Sequence, residues 1–315
     1  MVGGACDVDP ERAQVRARAE ALERATLIER GPSLLRSREE LLERGVHLVA
    51  THPDLVDEQW WIEGTQHLGK DELRPAAVPA YTSLLGWTDG RPLRWKQSSV
   101  GTAAHPDPDT AATTALLECL ERHAVRGVWH GTTSVVGIDA QAQDCLPMEL
   151  RDQLAAQNLR VRAWRIVGDV PACTVLAAVV RTDREQITFG ACARKPGQIP
   201  LALLHAVCEA VSVRAALANT SSDPEELAVP RRMARRQGDF LAHLAALEAT
   251  DPPAAPEEPV DLEHEVHDRF GAGPVVIDLA PGTGPAVIRT VVPHPEFLVP
   301  RDSEHDYALS PGYIE

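Results

Sequence analysis

One segment of the sequence occurs twice at a constant spacing, and this repeat restricts the possible folds more than any other feature. Each copy starts with Asp-Pro, continues through a run rich in Ala, and ends in Glu-x-x-Glu-Arg. The copies occupy residues 9–24 and 107–122, so corresponding positions lie 98 residues apart. Asp is a favoured N-cap and Pro a favoured first helical residue, so each copy predicts a helix. A weaker third copy, over residues 200–214, retains Glu209 and Arg214.

The repeated Glu-x-x-Glu-Arg has the composition of a magnesium and phosphate site. Glutamates three apart on a helix lie on one face, so two such helices present four carboxylates with an arginine beside each pair. Mg²⁺ prefers hard oxygen ligands, and arginine neutralises phosphate charge. If the two helices face each other, the sequence predicts a nucleotide site that contains Mg²⁺. The residues concerned are Glu20, Glu23, Glu118 and Glu121, with Arg24 and Arg122.

An ordinary solvent-exposed helix face is the competing interpretation, because charged triplets of this kind are common. The occurrence of two copies in register argues against it, as does the Ala- and Leu-rich context, where a solvated face would carry more lysine. The sequence has no Gly-x4-Gly-Lys-Ser/Thr run and no Gly-x-Gly-x-x-Gly run that opens a helix. A conventional nucleotide-binding fold therefore has no support.

Charge and cysteine content limit the possible partners and compartments. The 315 residues include 31 Lys and Arg against 46 Asp and Glu, for a formal charge of -15. This charge repels nucleic acids and anionic membranes, so neither is predicted as a partner. The six cysteines form no Cys-x-x-Cys pair and mostly lie in apolar segments, which predicts buried, reduced thiols and a cytoplasmic protein.

Between the predicted helices lie runs rich in Val and Ile that predict strands, so the fold class is mixed α/β. The predicted strands are residues 160–166, 172–181, 186–191, 274–279 and 286–292. Residues 221–259 contain a basic cluster from Arg231 to Arg236, a short helical pattern over 240–247, and a Pro-rich run. We expect them to form an exposed insertion or linker within a single domain over residues 1–315.

These motifs resemble those of the YcaO family, whose first and second Glu-x-x-Glu-Arg motifs are separated by a Ser-Asn-Gly-x-Ala-Ala-Gly segment. Residues 98–105 are similar to this central segment, and residues 209–214 to the third motif, Glu-Ala-x-Gln-x-Arg. Residues 276–279 and 287–293 are similar to the closing pair of strands of the family, and 60–64 and 78–80 to its connecting region. The resemblance implies a YcaO-like α/β fold of mixed sheets and packed helices, with an internal repeat of a strand-helix unit.

The resemblance also implies the cofactors ATP and Mg²⁺ and the residues that bind them. Mg²⁺ would be held by Glu20, Glu23, Glu118 and Glu121. The nucleotide would be contacted by Arg24, Arg122, Glu209, Arg214 and Arg289. No catalytic residue is assigned.

The activity that the resemblance implies is ATP-dependent activation of a peptide backbone amide. Phosphorylation of the amide oxygen would yield an azoline, an amidine or a thioamide in a ribosomally made peptide. The expected partners are a precursor peptide and a leader-binding or TfuA-like protein, and a homodimer is a further expectation.

Several positions depart from the family pattern and leave a second hypothesis open. Arg16 stands where the first motif has Ser, Val100 replaces Asn, and Ser212 replaces Gln. The tail from Ser310 lacks the Pro-x-Pro-x-Pro ending of many azoline-forming members. The alternative is therefore a catalytically degenerate partner subunit that binds a precursor peptide or a second protein.

The start of the sequence carries an expectation of its own. Only eight residues precede Asp9, whereas family members have a strand and a lysine before the first helix. We expect the neighbouring strand to have an open edge, which an upstream start or another chain would complete.

Two further motifs suggest other functions. The strand-and-glycine run from Val276 to Gly284 resembles that of an S-adenosylmethionine-dependent methyltransferase, an interpretation that requires Gly284 to open a helix. His264 and His267 suggest a metal site, but no third ligand is evident, and a solvated helix face is the alternative.

Overall fold

The fold is seen in a computed structural model that describes residues 6–69, 72–87, 90, 94–95, 97–139, 144–168, 171–181, 187–218, 240–249, 260–282 and 284–298. The basic cluster at 231–236 and the tail from Ser310 lie outside these residues, and of the predicted insertion only 240–249 is described.

The chain folds into two compact units. The first contains Val15–Leu120 and the described residues from Val260 onward, and the second contains residues 6–14 and the described part of Glu121–Pro259. The prediction that residues 1–315 form one domain stays a prediction.

The helices of the described residues include both copies of the repeated motif and the third, weaker copy. Their bounds are α1 Pro10–Glu29, α2 Arg38–Glu43, α3 Ala80–Ser83, α4 Pro108–Trp129, α5 Met148–Ala156, α6 Ile199–Ala218, α7 240–246 and α8 Leu262–Phe270. Short 3-10 helices lie at Gly31–Leu34, Pro53–Leu55 and Pro295–Phe297.

Helices α1 and α4 begin as the Asp-Pro pairs predict. Their first residues are Pro10 and Pro108. The Asp9 carboxylate accepts the N–H of Glu11 at 2.9 Å, and the Asp107 carboxylate accepts the N–H of Thr110 at 3.0 Å. Each aspartate thus satisfies one of the N–H groups that a helix start leaves without an intrahelical acceptor. The helices are confirmed, whereas the internal repeat of a whole strand-helix unit stays a prediction.

Eleven strands are found in the described residues. They are β1 Leu35–Ser37, β2 His47–Leu48, β3 Trp60–Gly69, β4 Glu72–Pro79, β5 Thr102–His105, β6 Ser134–Gly137, β7 Leu159–Val167, β8 Cys173–Arg181, β9 Ile187–Arg194, β10 Val275–Asp278 and β11 Ala286–Val291. The five predicted strands are thereby confirmed as β7, β8, β9, β10 and β11. The long β3 and β4 pair was not predicted as strands.

The sheet of the first unit has the order β2-β4-β3-β10-β11-β5, with β1 paired to β3. All its pairs are antiparallel except β2 with β4. Buried side chains from β3, β4, β10 and β11, among them Ile62, Val78 and Ile277, pack around Leu27 of α1. Strand β5 lies at the edge of this sheet.

The sheet of the second unit is antiparallel in the order β6-β7-β8-β9. One of its faces packs against α6 through Leu203 and Val207, and the other against α7 through Phe240 and Leu244. Strand β9 forms one edge. Gly190 allows α6 to lie close to this strand, because a Cβ there would be 2.2 Å from the Ala206 carbonyl oxygen.

The burial of the cysteines agrees in part with the prediction of buried thiols. Within the described residues the six cysteines form no disulfide; four are buried, while Cys6 and Cys145 are partly exposed. In the part of the chain that the structure describes, no helix has the length and apolar character needed to cross a membrane.

Candidate functional site

A first carboxylate cluster, which we define as Glu20, Glu23 and Glu118, lies in the first unit. Glu20 and Glu23 come from α1 and Glu118 from α4. Glu23 Oε1 accepts the backbone N–H of Ala104 at 2.7 Å, and Glu118 Oε2 accepts that of Gly101 at 2.9 Å. Glu23 is therefore bound to edge strand β5, and Glu118 to the residue that precedes this strand.

Within the first carboxylate cluster, Glu20 and Glu118 repel the charge of Glu23, and Arg24 offsets part of this repulsion. Arg24 donates to Glu20 Oε1 at 2.8 Å, one helical turn away. The pKa of Glu23 is raised from an ordinary 4.5 to about 7. Burial is the largest cause, the charges of Glu118 and Glu20 add to it, and the Ala104 N–H and Arg24 oppose it. A cation beside Glu23 would relieve both the repulsion and the cost of burying its charge.

The segment that supplies the Gly101 N–H is held by β11. The Arg289 guanidinium donates to the Ser98 carbonyl oxygen at 3.1 Å and to Thr102 Oγ1 at 3.0 Å. The Thr290 N–H donates to the Gly101 carbonyl oxygen at 2.7 Å. Arg289 is only 5% exposed, and the hydrogen bonds described here join it to the protein. Its role as a nucleotide contact stays a prediction.

A second carboxylate cluster, which we define as Glu121, Arg122 and Glu209, lies in the second unit. Glu121 Oε2 accepts the N–H of Ala193 at 3.1 Å, and Glu209 Oε2 accepts that of Ala191 at 2.7 Å. Arg122 lies between the other oxygens, 3.4 Å from Glu121 Oε1 and 3.6 Å from Glu209 Oε1. One arginine therefore serves two carboxylates, and each carboxylate is attached to edge strand β9.

The two clusters share one arrangement: a helix glutamate accepts an outward-facing N–H of an edge strand through one carboxylate oxygen. These donors have no signature in the sequence, because every residue except proline carries a backbone N–H. The only available signals were Gly101 before a short Ala-rich strand and Gly190 within β9, both of which mark close backbone approach. The arrangement closes the strand edge and fixes the orientation of the carboxylate.

The predicted site residues thus fall into two groups. Glu20, Glu23, Arg24 and Glu118 are together in the first unit, and Glu121, Arg122 and Glu209 in the second. Arg214 follows Glu209 along α6, and Arg289 is attached to the segment 98–102 of the first unit. Across the described residues, no three His, Cys, Asp or Glu side chains already surround a point at which a metal ion would be held.

The structure does not support the methyltransferase alternative. After Gly284 the chain enters β11, which pairs antiparallel with β10, so the glycines form a turn between two strands and no helix follows them. His264 and His267 lie on α8, where His264 Nε2 is 3.4 Å from Asp268 Oδ2. No metal cluster includes them within the described residues.

A comparison with protein-family models identifies the family of this chain. The family described as YcaO cyclodehydratase, ATP- and Mg²⁺-binding, matches residues 4–296. The chain belongs to the YcaO family. ATP and Mg²⁺, the cofactors that the sequence predicts, are those of this family. A comparison with curated protein sequences gives no match.

Solved structures show the same YcaO fold at low sequence identity. The YcaO of Methanopyrus kandleri, bound with AMPPCP and Mg²⁺, has 18% identity and a TM-score of 0.66 over 91% of this chain and 77% of that one. The E. coli microcin synthetase McbBCD complex with pro-MccB17 bound has 13% identity and a TM-score of 0.66, over 92% and 81%.

A heterocyclase in complex with substrate and cofactor has 16% identity and a TM-score of 0.71 over 92% of this chain. This chain spans only 44% of that heterocyclase, and 45% of the heterocyclase TruD. At these identities the comparisons show the fold alone.

The residues of the first carboxylate cluster have the chemistry of Mg²⁺ ligands. Their donors are hard carboxylate oxygens, and the pKa of Glu23 is raised first by burial and then by the charges of Glu118 and Glu20, both of which a bound cation would offset. Mg²⁺ is usually bound through one or two carboxylates together with nucleotide phosphates and water, so a complete protein cage is not required.

Proposed function

We propose that this protein is an ATP-dependent enzyme that activates a backbone amide of a peptide substrate. Family membership over residues 4–296 supports the reaction class. The observation that carries the proposal for this chain is the first carboxylate cluster, where backbone N–H groups hold Glu23 and Glu118 and the pKa of buried Glu23 is raised to about 7.

We assign Mg²⁺ first to Glu23 and Glu118, with Glu20 beside them. A backbone N–H occupies one oxygen of each of the first two carboxylates, which orients the other oxygen. Outer hydrogen bonds of this kind are a usual feature of carboxylates that ligate metals. Glu121, the fourth predicted Mg²⁺ ligand, stays part of the proposal.

We assign the nucleotide phosphates to Arg24 and Arg122. Arg214 and Glu209 are proposed as further contacts of the nucleotide. Arg24 is about one-third exposed and pairs with Glu20 on its own helix, so its guanidinium has room to turn to a phosphate. Arg122 is held by two carboxylates, those of Glu121 and Glu209. To bind a phosphate oxygen, it would have to give up its contact with one of them.

ATP supplies the phosphoryl group that converts the former carbonyl oxygen of an attacked amide into a leaving group. The residues of this chain neutralise phosphate charge and orient the metal ligands. A Cys, Ser or Thr side chain as nucleophile gives an azoline, an amine an amidine, and sulfide a thioamide. Mass spectrometry separates a loss of water from an exchange of oxygen for sulfur.

A precursor peptide is the proposed substrate. A leader-binding or TfuA-like protein is the proposed partner, by analogy with the McbBCD complex among the similar structures. A homodimer remains part of the proposal.

A degenerate partner subunit is the second candidate, and one observation favours it. Arg122 lies close to both carboxylates of its cluster, so their charge is partly balanced without a metal ion. Such a cluster is a stable structural element in itself and does not depend on nucleotide.

Calorimetric titration of the full chain with AMPPCP in the presence of Mg²⁺ separates the two candidates. The enzyme proposal predicts binding that requires Mg²⁺ and that weakens about 10-fold or more in Glu23→Gln and in Glu118→Gln. The matched control is Glu29→Gln, an exposed glutamate on the same helix as Glu23, which should bind as the wild type does. Absence of Mg-AMPPCP binding to the wild type would favour the degenerate subunit.

A further inference from the structure

We propose that Arg289 and Gly101 are positioning residues: Arg289 holds the segment 98–102 so that the N–H groups of Gly101 and Ala104 orient Glu118 and Glu23. The inference rests on the proposed function, because it concerns the geometry of the proposed Mg²⁺ ligands. In this proposal Arg289 acts on the metal ligands indirectly, by holding the segment 98–102, and does not contact the nucleotide.

The contacts of Arg289 converge on one short segment. Arg289 lies opposite Thr102 in the β5–β11 register, and its Nη1 donates to Thr102 Oγ1 and to the Ser98 carbonyl oxygen. The Thr102 N–H donates to the Ser99 carbonyl oxygen at 3.0 Å, which closes a turn. Nη1 of Arg289 therefore holds Ser98, just before this turn, and Thr102, at its end.

Gly101 is the point at which the turn meets the carboxylate. Its φ of +81° lies in the left-handed region, and its carbonyl oxygen accepts the Thr290 N–H while its own N–H donates to Glu118. A Cβ at this position would be 2.5 Å from the Thr290 carbonyl oxygen and 2.6 Å from Cys119 Sγ. Only glycine meets both the backbone angle and the close approach.

The second carboxylate is oriented from the same strand. Ala104 follows Thr102 in β5, and its N–H donates to Glu23 Oε1 at 2.7 Å. A displacement of the turn would therefore be felt at both Glu118 and Glu23. Loss of an outer contact that orients a metal ligand typically weakens metal affinity 10- to 100-fold, which sets the expected size of the effect.

The test removes one contact of Arg289 with little change in shape. Thr102→Val deletes the hydroxyl that accepts from Arg289, and Thr102→Ser retains it. Thr188→Val is the control: Thr188 is also a buried strand threonine, and its hydroxyl has no hydrogen-bond partner within the described residues. Each full-length variant is labelled with ¹⁵N-glycine, and the amide resonance of Gly101 is compared with that in Glu118→Gln.

The Gly101 amide reports the hydrogen bond to Glu118 independently of nucleotide binding. We expect Thr102→Val to move the resonance toward its position in Glu118→Gln and to weaken Mg-AMPPCP binding about 10-fold. Thr102→Ser should restore both properties, and Thr188→Val should change neither.

An unmoved Gly101 resonance in folded Thr102→Val would overturn the proposal, and so would a moved resonance with unchanged affinity. If the wild type binds no Mg-AMPPCP, the proposed function fails, while the resonance still decides whether Arg289 positions Glu118. Should Thr102→Val not fold, Arg289→Lys provides the second variant, with the same two readouts and the same deciding outcomes.

Discussion

Replacement of Glu23 by Gln should make the metal-free protein more stable at neutral and alkaline pH, although Glu23 is a proposed metal ligand. Burial, together with Glu118 and Glu20, raises the pKa of this carboxyl from 4.5 to about 7 in the folded state. The folded protein therefore retains a proton that the unfolded chain releases. The wild type is most stable below pH 4.5, as far as Glu23 is concerned, and loses stability as the pH rises to about 7.

The loss of stability at high pH follows from the raised pKa of Glu23. A difference between 4.5 and about 7, at about 1.4 kcal/mol per pH unit, corresponds to roughly 3 kcal/mol once Glu23 is fully ionised. A glutamine is uncharged at every pH and can still accept the Ala104 N–H. Above pH 8, Glu23→Gln should therefore exceed the wild type in free energy of unfolding by about 2–3 kcal/mol, and below pH 4.5 the two should be alike.

Urea unfolding followed by tryptophan fluorescence, in EDTA and from pH 4 to 9, measures this difference. Glu29→Gln is the matched control, since it removes one exposed carboxylate from the same helix. A stability difference that does not depend on pH, or a variant less stable than the wild type at pH 8, would refute the reasoning.

Three other changes test separate parts of the structure. Gly101→Ala should lower the free energy of unfolding in urea by roughly 2–4 kcal/mol, because the added Cβ strains the backbone and overlaps Thr290. The control is Gly45→Ala, which has a φ of +71° but nothing within 4 Å of the added Cβ and should cost about 1 kcal/mol. Equal losses in the two variants would contradict the overlap at Gly101. Arg122→Met should cost roughly 2–3 kcal/mol, because it leaves Glu121 and Glu209 without their shared cation, and an unchanged urea midpoint would show that the bridge contributes nothing. Mg-AMPPCP at about 100 times its Kd should stabilise the wild type by about 2.7 kcal/mol in thermal unfolding, and AMPPCP with EDTA should not; an equal shift in both would exclude a metal requirement.

Local signals account for the elements that the sequence predicted correctly. The starts of α1 and α4 follow from the Asp-Pro pairs, whose capping interactions involve residues adjacent in the chain. Strands β7 and β8 contain several Val or Ile residues, and β9 is a mostly apolar run that begins with Ile187. These strands are largely buried, so their composition alone indicates them. By contrast, β4 has an exposed, charged first half and contains Pro75, so its strand character depends on pairing with β3.

The residue types of the candidate site were predictable, and their partners were not. The carboxylates and arginines belong to a compact motif, but the N–H groups of Gly101, Ala104, Ala191 and Ala193 become their donors only when edge strands meet the helices. The contact of Arg122 with Glu209 likewise depends on the close approach of α6 to β9. The raised pKa of Glu23 depends chiefly on burial, which spacing along a helix does not determine.

The central claim is that the first carboxylate cluster holds the metal ion of a bound nucleotide. The most direct measurement is an anomalous difference map from a crystal of the full chain grown with AMPPCP and Mn²⁺, a metal that shares the oxygen ligands of Mg²⁺. We predict an anomalous peak within ligand distance of Glu23 or Glu118 and the phosphates. Nucleotide density with the metal peak away from both carboxylates would contradict the account.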